Sequence, residues 1–145
     1  MKRTFILLIG FSLFLTQGCA THSRQHPSEK RQRETEARAA ALHWLTLVDA
    51  AKFAEAYRNA AAQVRTATTQ AQFSRSMKGR RVPFGKVISR TFVGAAFTRK
   101  LTGSPDGNYE SILFRTTFEH KKTAAERVIL AREENAWRVV DYRVY

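Results

Sequence analysis

The 145-residue sequence predicts an α+β domain, helices first and then a four-stranded antiparallel sheet, and three observations carry that reading. Apolar side chains between Ala37 and Met77 recur three and four residues apart among strong helix formers. Past Pro83 and Gly85 the residues become Val, Ile, Phe, Thr and Tyr in runs parted by turn residues, as strands do. A composition of 43% hydrophobic and 26% charged residues supports a packed core, and the length allows one domain.

From Glu36 onward, Ala37, Ala40, Ala41, Trp44, Leu45 and Val48 form the stripe of an amphipathic helix. A second short helix places Phe53, Ala56 and Tyr57 on one face, and a third runs through Ala60, Ala61 and Val64. A fourth follows the break at residues 66–69, with Phe73 and Met77 on one face. Lys78-Gly79-Arg80 is expected to end it, because glycine suits the position after a helix and basic side chains suit its C-terminus. Residues 87–98 and 109–119 flank a loop dense in Gly, Ser, Pro, Asp and Asn, which makes them a long hairpin. Turns at 120–123 and 133–135 lead into strands over 126–132 and 137–145. Ile112, Phe114, Thr116 and Phe118 alternate with Ser111, Leu113, Arg115 and Thr117, so one face of the sheet is dry and the other partly wet.

The first nineteen residues differ in kind: Lys2 and Arg3 precede an apolar run over residues 5–15, then Thr16, Gln17, Gly18 and the only cysteine, Cys19. This is an export signal. Eleven residues rise about 17 Å as a helix, short of a ~30 Å hydrocarbon core, so a permanent span fits poorly. A cysteine directly after a small residue at the end of such a run resembles the lipobox of bacterial lipoproteins. That resemblance implies a signal peptide over residues 1–18, acyl chains on Cys19 and a membrane partner reached through them. Ala20, where Asp marks inner-membrane retention, implies an anchor in the outer membrane facing the periplasm. The alternatives are a cleaved secretory signal with Cys19 merely near the cut, or an unprocessed anchor helix. Two or three acyl chains hold stably where one holds marginally. No second cysteine is present for a disulfide.

Residues 20–35 carry no large apolar side chain, so residues 19–35 read as a flexible tether ahead of a domain over 36–145. His22 and His26 stand four apart, but Pro27 opposes a helix there and no third ligand is near, so no metal is expected. The formal charge of +13 is unevenly spread: residues 56–105 hold ten basic side chains and no acid, whereas residues 106–145 hold seven of each sign. Loss of residues 1–18 removes Lys2 and Arg3 and leaves +11.

Trp44-Leu45, Leu47-Val48-Asp49, residues 53–57, Arg80-Arg81-Val82-Pro83-Phe84-Gly85, Arg90, the loop 103–109, Phe114, Phe118, Glu126 and residues 137–142 together resemble the bacterial domain of unknown function 4019, over about residues 37–145. The resemblance implies an exported protein, often a lipoprotein, and a cystatin-like cone of the nuclear-transport-factor-two-like kind, with helices in the concave side of a bent sheet. It implies no activity and no catalytic residues, and fold alone names none.

Proton transfer inside such a cone needs a carboxylate in an apolar pocket facing a donor, which Asp49 or Asp141 with Tyr57 or Tyr142 would supply. The structural alternatives are that Asp49 caps the following helix and that Asp141 pairs with an arginine across the sheet. A pocket lined by Trp44, Asp49 and Tyr57 would favour a small-ligand or isomerase-like function, whereas a cone filled by its own aromatics favours a non-enzymatic binding or structural module. Arg80, Arg81 and Arg90 flank the Pro83-Phe84-Gly85 turn and form a candidate anion site. The competing reading is that one caps helix carbonyls or pairs with Glu126 and the others are solvated. Anionic lipid, lipopolysaccharide phosphates or an acidic envelope protein are the expected partners, and the export signal weighs against nucleic acid. His43 is expected at the edge of the core and His120 in a turn. No cofactor is expected, since no catalytic triad, glycine-rich phosphate loop or metal-ligand cluster is legible.

Overall fold

A computed structural model describes residues 26–145; the signal segment, Cys19, His22 and the first part of the expected tether lie outside the described residues. Helix α1 (Pro27–Asp49) crosses one face of the sheet, followed by α2 (Phe53–Arg58), α3 (Ala62–Ala67) and α4 (Gln70–Arg81). A 3₁₀ turn over Val82–Phe84 then leads into strands β1 (Val87–Thr98), β2 (Tyr109–Phe118), β3 (Lys121–Glu133) and β4 (Ala136–Val144). The strands pair antiparallel in the order β1-β2-β3-β4, as a meander. No helix among the described residues is long and apolar enough to cross a membrane.

Helix α1 starts at Pro27 rather than near Glu36, so residues 27–35 are helical and not tether. Composition misled here because tertiary contacts, not apolar burial, hold the first turns. Arg33 Nε donates to Glu110 Oε2 at 2.8 Å while its guanidinium lies 4.1 Å from the Phe97 ring centroid, and Arg132 Nη1 donates to Glu36 Oε2 at 2.7 Å. Pro27 occupies the first helical turn, where a missing N–H costs nothing, and Glu29 sits in the same turn. Further along, Ala37, Ala41, Trp44, Leu45 and Val48 are buried on the sheet as the spacing requires.

The Trp44 indole N–H donates to the Ala56 carbonyl at 2.9 Å and so fixes α2 against α1. Ala61 N–H donates to the Val139 carbonyl at 2.8 Å, tying the α2–α3 connection to the free edge of β4. A reciprocal capping box between Thr69 and Gln72 starts α4. That helix runs through Gly79 to Arg81, so Gly79 does not end it. The glycine that the turn requires is Gly85, at φ 74, where an added Cβ would stand 2.7 Å from Glu119 Oε2.

Strand register explains which side chains meet the helices. Phe92, Phe114, Glu126 and Val144 share a row across the sheet, and Ile112, Val128, Leu130 and Tyr142 fill the same dry face. Two irregularities in β1 make Ile88 and Val93 extra residues, both exposed on an edge strand. A third, in β4, sets Val139 and Tyr142 on the dry face with Val140 as the extra residue. It moves Asp141 to the face opposite that of Trp137 and Val139. Strand β3 begins at Lys121, five residues before the expected start, because the turn needs only residues 119–120.

Candidate functional site

Six elements converge on a line of polar groups at the boundary between helices and sheet. Glu126 of β3 is the centre and is fully buried. Its Oε2 accepts from Arg90 Nε at 2.6 Å and from Thr116 Oγ1 at 2.7 Å, while its Oε1 accepts from Tyr142 Oη at 2.7 Å and Arg90 Nη2 at 3.1 Å. A carboxylate offers about four lone-pair sites, so Glu126 has no acceptor position left for a substrate proton. Arg90 of β1 turns its other side to Asp49 at the C-terminal end of α1, with Nη1 to Oδ2 at 2.8 Å. Asp49 in turn accepts from Arg81 Nη2 at 2.9 Å, and Arg81 Nη1 donates to the Gly85 carbonyl at 2.7 Å. Arg81 is 3% exposed and lies 4.6 Å from the Phe118 ring centroid.

The ladder Tyr142–Glu126–Arg90–Asp49–Arg81 thus carries two carboxylates and two guanidiniums and is neutral overall. Burial, followed by the Glu126 charge and its hydrogen bond, pushes the Tyr142 hydroxyl well above the ordinary tyrosine range. Burial works against the charged form of Arg90, but hydrogen bonds to Asp49 and Glu126 outweigh it and raise its pKa above the ordinary arginine value. These groups therefore keep their protons at neutral pH. Such an arrangement fixes geometry.

The candidate residues are consequently split. Arg81 and Arg90 come together, but around Asp49 and Glu126, so the pairing of one arginine with Glu126 is the arrangement that the geometry shows for Arg90. Arg80 points elsewhere, with Nη2 3.5 Å from Met77 Sδ, into an open cleft. Asp49 does not cap α2, whose N-cap is Lys52. Trp44, Asp49 and Tyr57 do not line one pocket: Trp44 walls the cleft, Asp49 belongs to the ladder, and Tyr57 donates to the Thr68 carbonyl at 2.8 Å and packs on Phe73. Asp141 accepts from Arg143 Nε at 3.0 Å on its own strand, not from an arginine across the sheet.

The cleft, about 290 Å³, lies between α3, α4 and the edge strand β4, with walls of Trp44, Val64, Phe73, Met77 and Tyr142 and Arg80 at its side. A second recess, about 400 Å³, shares Arg80, Asp141 and Tyr142 with it and is bounded by Phe84 and Tyr145. Among the described residues no group of three His, Cys, Asp or Glu side chains gathers as a metal site would need. The signal for the ladder was present in sequence as Glu126 at the same parity as Val128 and Leu130, an acid in a dry row. The partners of Glu126 on β2 and β4, Thr116 and Tyr142, were invisible without the register.

No match was found among curated proteins or among solved structures. A family model described as "Protein of unknown function (DUF4019)" matches residues 40–142, which takes in the ladder, the cleft and the whole sheet up to Tyr142, and the chain belongs to that family.

Proposed function

We propose that this chain is a lipoprotein of the bacterial cell envelope, held by acyl chains on Cys19, whose folded domain is a non-enzymatic binding or structural module presenting basic surface to anionic partners. The observation that carries the non-enzymatic reading is the saturation of Glu126: this acid, fully buried between helices and sheet, is committed to four donors, and the other acid buried on that face, Glu110, is paired with Arg33. The core between helices and sheet is filled by Trp44, Phe114, Phe118 and Tyr142 rather than left open. The uneven basic charge supports an anionic partner, and the export signal supports an anionic membrane over nucleic acid. Palmitate labelling and density fractionation of the full chain test the anchor. The label and the envelope fraction are expected in the wild type and absent in Cys19→Ser; an unlabelled wild type overturns the anchor.

The cleft favours a second reading, a small amphipathic acid whose carboxylate meets Arg80 while its apolar part lies on Val64, Phe73 and Met77. Decanoate titrated into the labelled protein is then expected to shift the amides of those three residues, and to do so far less in Arg80→Gln. Uniform silence of the three amides rules this reading out.

A further inference from the structure

We propose that the sheet face turned away from the helices is a docking surface for the phosphates of an anionic phospholipid bilayer, with Arg115, Arg127 and Arg143 as the contacting groups. The proposal deepens the reading above and rests on it for the compartment, but it concerns residues in the stretch whose charges balance in sequence. Register overturns that balance. Arg127 of β3 faces Arg143 of β4 directly across the ladder, and Arg115 of β2, paired with Ala125, is the diagonal neighbour of Arg127. The acid at the next position of β3, back toward its start, is Glu126, which the pleat turns to the opposite, dry face.

Like charges directly opposite on adjacent strands oppose folding, so this arrangement is not what stability alone would select. Outward positions of β2 from Tyr109 to Thr117 and of β3 from Ala125 to Ala131 carry no acid to relieve it. The acid available on β4, Asp141, takes Arg143 Nε alone. Among the described residues no ion pair forms to Arg115 or Arg127, and Arg127 Nε is enclosed without any hydrogen-bond partner while the guanidinium lies over Tyr145. That enclosed Nε is out of reach from outside, but the terminal nitrogens of half-buried Arg127, exposed Arg115 and the part of exposed Arg143 not held by Asp141 remain open to an external acceptor.

The chemistry of the face selects phosphate on a flat surface. Guanidiniums bind phosphate through paired N–H groups, and the rows between them are short and hydroxylic, with Ser89, Thr91, Ser111 and Thr117. A protein partner would need an exposed apolar centre, whereas Leu113, opposite Arg127, is half-buried and Ile129, opposite Asp141, is buried, and Tyr145, half exposed at the rim, is the side chain that belongs at a water–lipid boundary.

The test is co-sedimentation of the full chain with phosphatidylcholine vesicles, with and without phosphatidylglycerol, over a salt series. Wild type is expected to prefer the anionic vesicles, with a preference that fades as salt rises. Arg127→Gln/Arg143→Gln is expected to lose about 25-fold of that preference, about fivefold for each arginine at the surface. Arg75→Gln/Lys78→Gln, an equal loss of charge on exposed α4, is expected to keep it. The arginine variant removes a repulsion, so its melting temperature is expected to hold or rise, which separates lost docking from lost folding. Equal losses in the two variants, a wild type indifferent to lipid charge, or capture of inorganic phosphate without vesicle binding each overturn the proposal. Binding to neutral vesicles reports on the Cys19 anchor instead and is untouched by the arginine substitutions.

Discussion

Glu126→Gln is the sharpest perturbation of the interior. The amide turns one of two acceptor oxygens into a donor, so either Arg90 Nε and Thr116 at one oxygen, or Tyr142 and Arg90 Nη2 at the other, meet an N–H group instead of a lone pair. Arg90 is then left half paired at a site only 11% exposed. Breaking a buried ion pair by removing one partner costs about 3–5 kcal/mol. Domains of this kind have about 5–15 kcal/mol in total, so between a fifth and nearly all of the stability is at stake. At about 3–5 °C per kcal/mol for this size, the melting temperature is expected to fall by roughly 10–25 °C. Urea unfolding followed by circular dichroism reads the same change as a lowered midpoint with an unchanged slope. A loss below about 1 kcal/mol would refute the reasoning, because it would mean that Glu126 is solvated or replaceable where the geometry makes it central.

Other consequences are more local. The raised pKa of Tyr142 makes its contribution to stability complete below the unfolded value of about 10 and lost progressively above it, so wild-type stability is expected to fall beyond pH 10 and Tyr142→Phe to flatten that slope in urea titrations. Gly85→Ala is expected to destabilise by more than about 1 kcal/mol, since φ is positive and the new Cβ meets Glu119, while Gly79→Ala, in open space within α4, is expected to gain about 0.5–1 kcal/mol. Arg33→Ala strands Glu110, which is 2% exposed, and is expected to cost about 2–4 kcal/mol and to release amide protection over residues 27–35 in hydrogen exchange; protection unchanged there means the helix does not depend on that contact.

Hydrophobic period made most of the fold legible: the stripe from Ala37 to Val48, the Phe73 and Met77 pair after the break at 66–69 and the alternation from Ser111 to Phe118 each match an observed element. The misses share one cause. Residues 27–35 look polar and unstructured, yet Arg33 and Glu36 find partners on strands seventy to a hundred positions away, which no local window contains. Gly79 carried the signal of a helix end, but the 3₁₀ turn over Val82–Phe84, with Phe84 stacked 5.4 Å from Phe118, moved the break to Gly85. Asp141 changed faces through one extra residue in β4, a change of parity that alternation cannot register. The site was half readable: Arg81, Arg90 and Asp49 were visible as a basic cluster and a lone acid, while their neutralisation into a ladder, and the opposite outcome for Arg127 and Arg143, depended on strand pairing.

The claim at the centre of the account is that Asp49, Arg81, Arg90, Glu126 and Tyr142 act as one structural unit that locks α1 and α4 to the sheet and leaves function to the surfaces. A double-mutant cycle on Asp49→Asn and Glu126→Gln, whose only shared partner in the ladder is Arg90, measures this most directly. The account predicts that the double variant loses less than the two single losses together, by about 0.5–3 kcal/mol. Losses that add to within about 0.3–0.5 kcal/mol would contradict it, because the two carboxylates would then be acting alone.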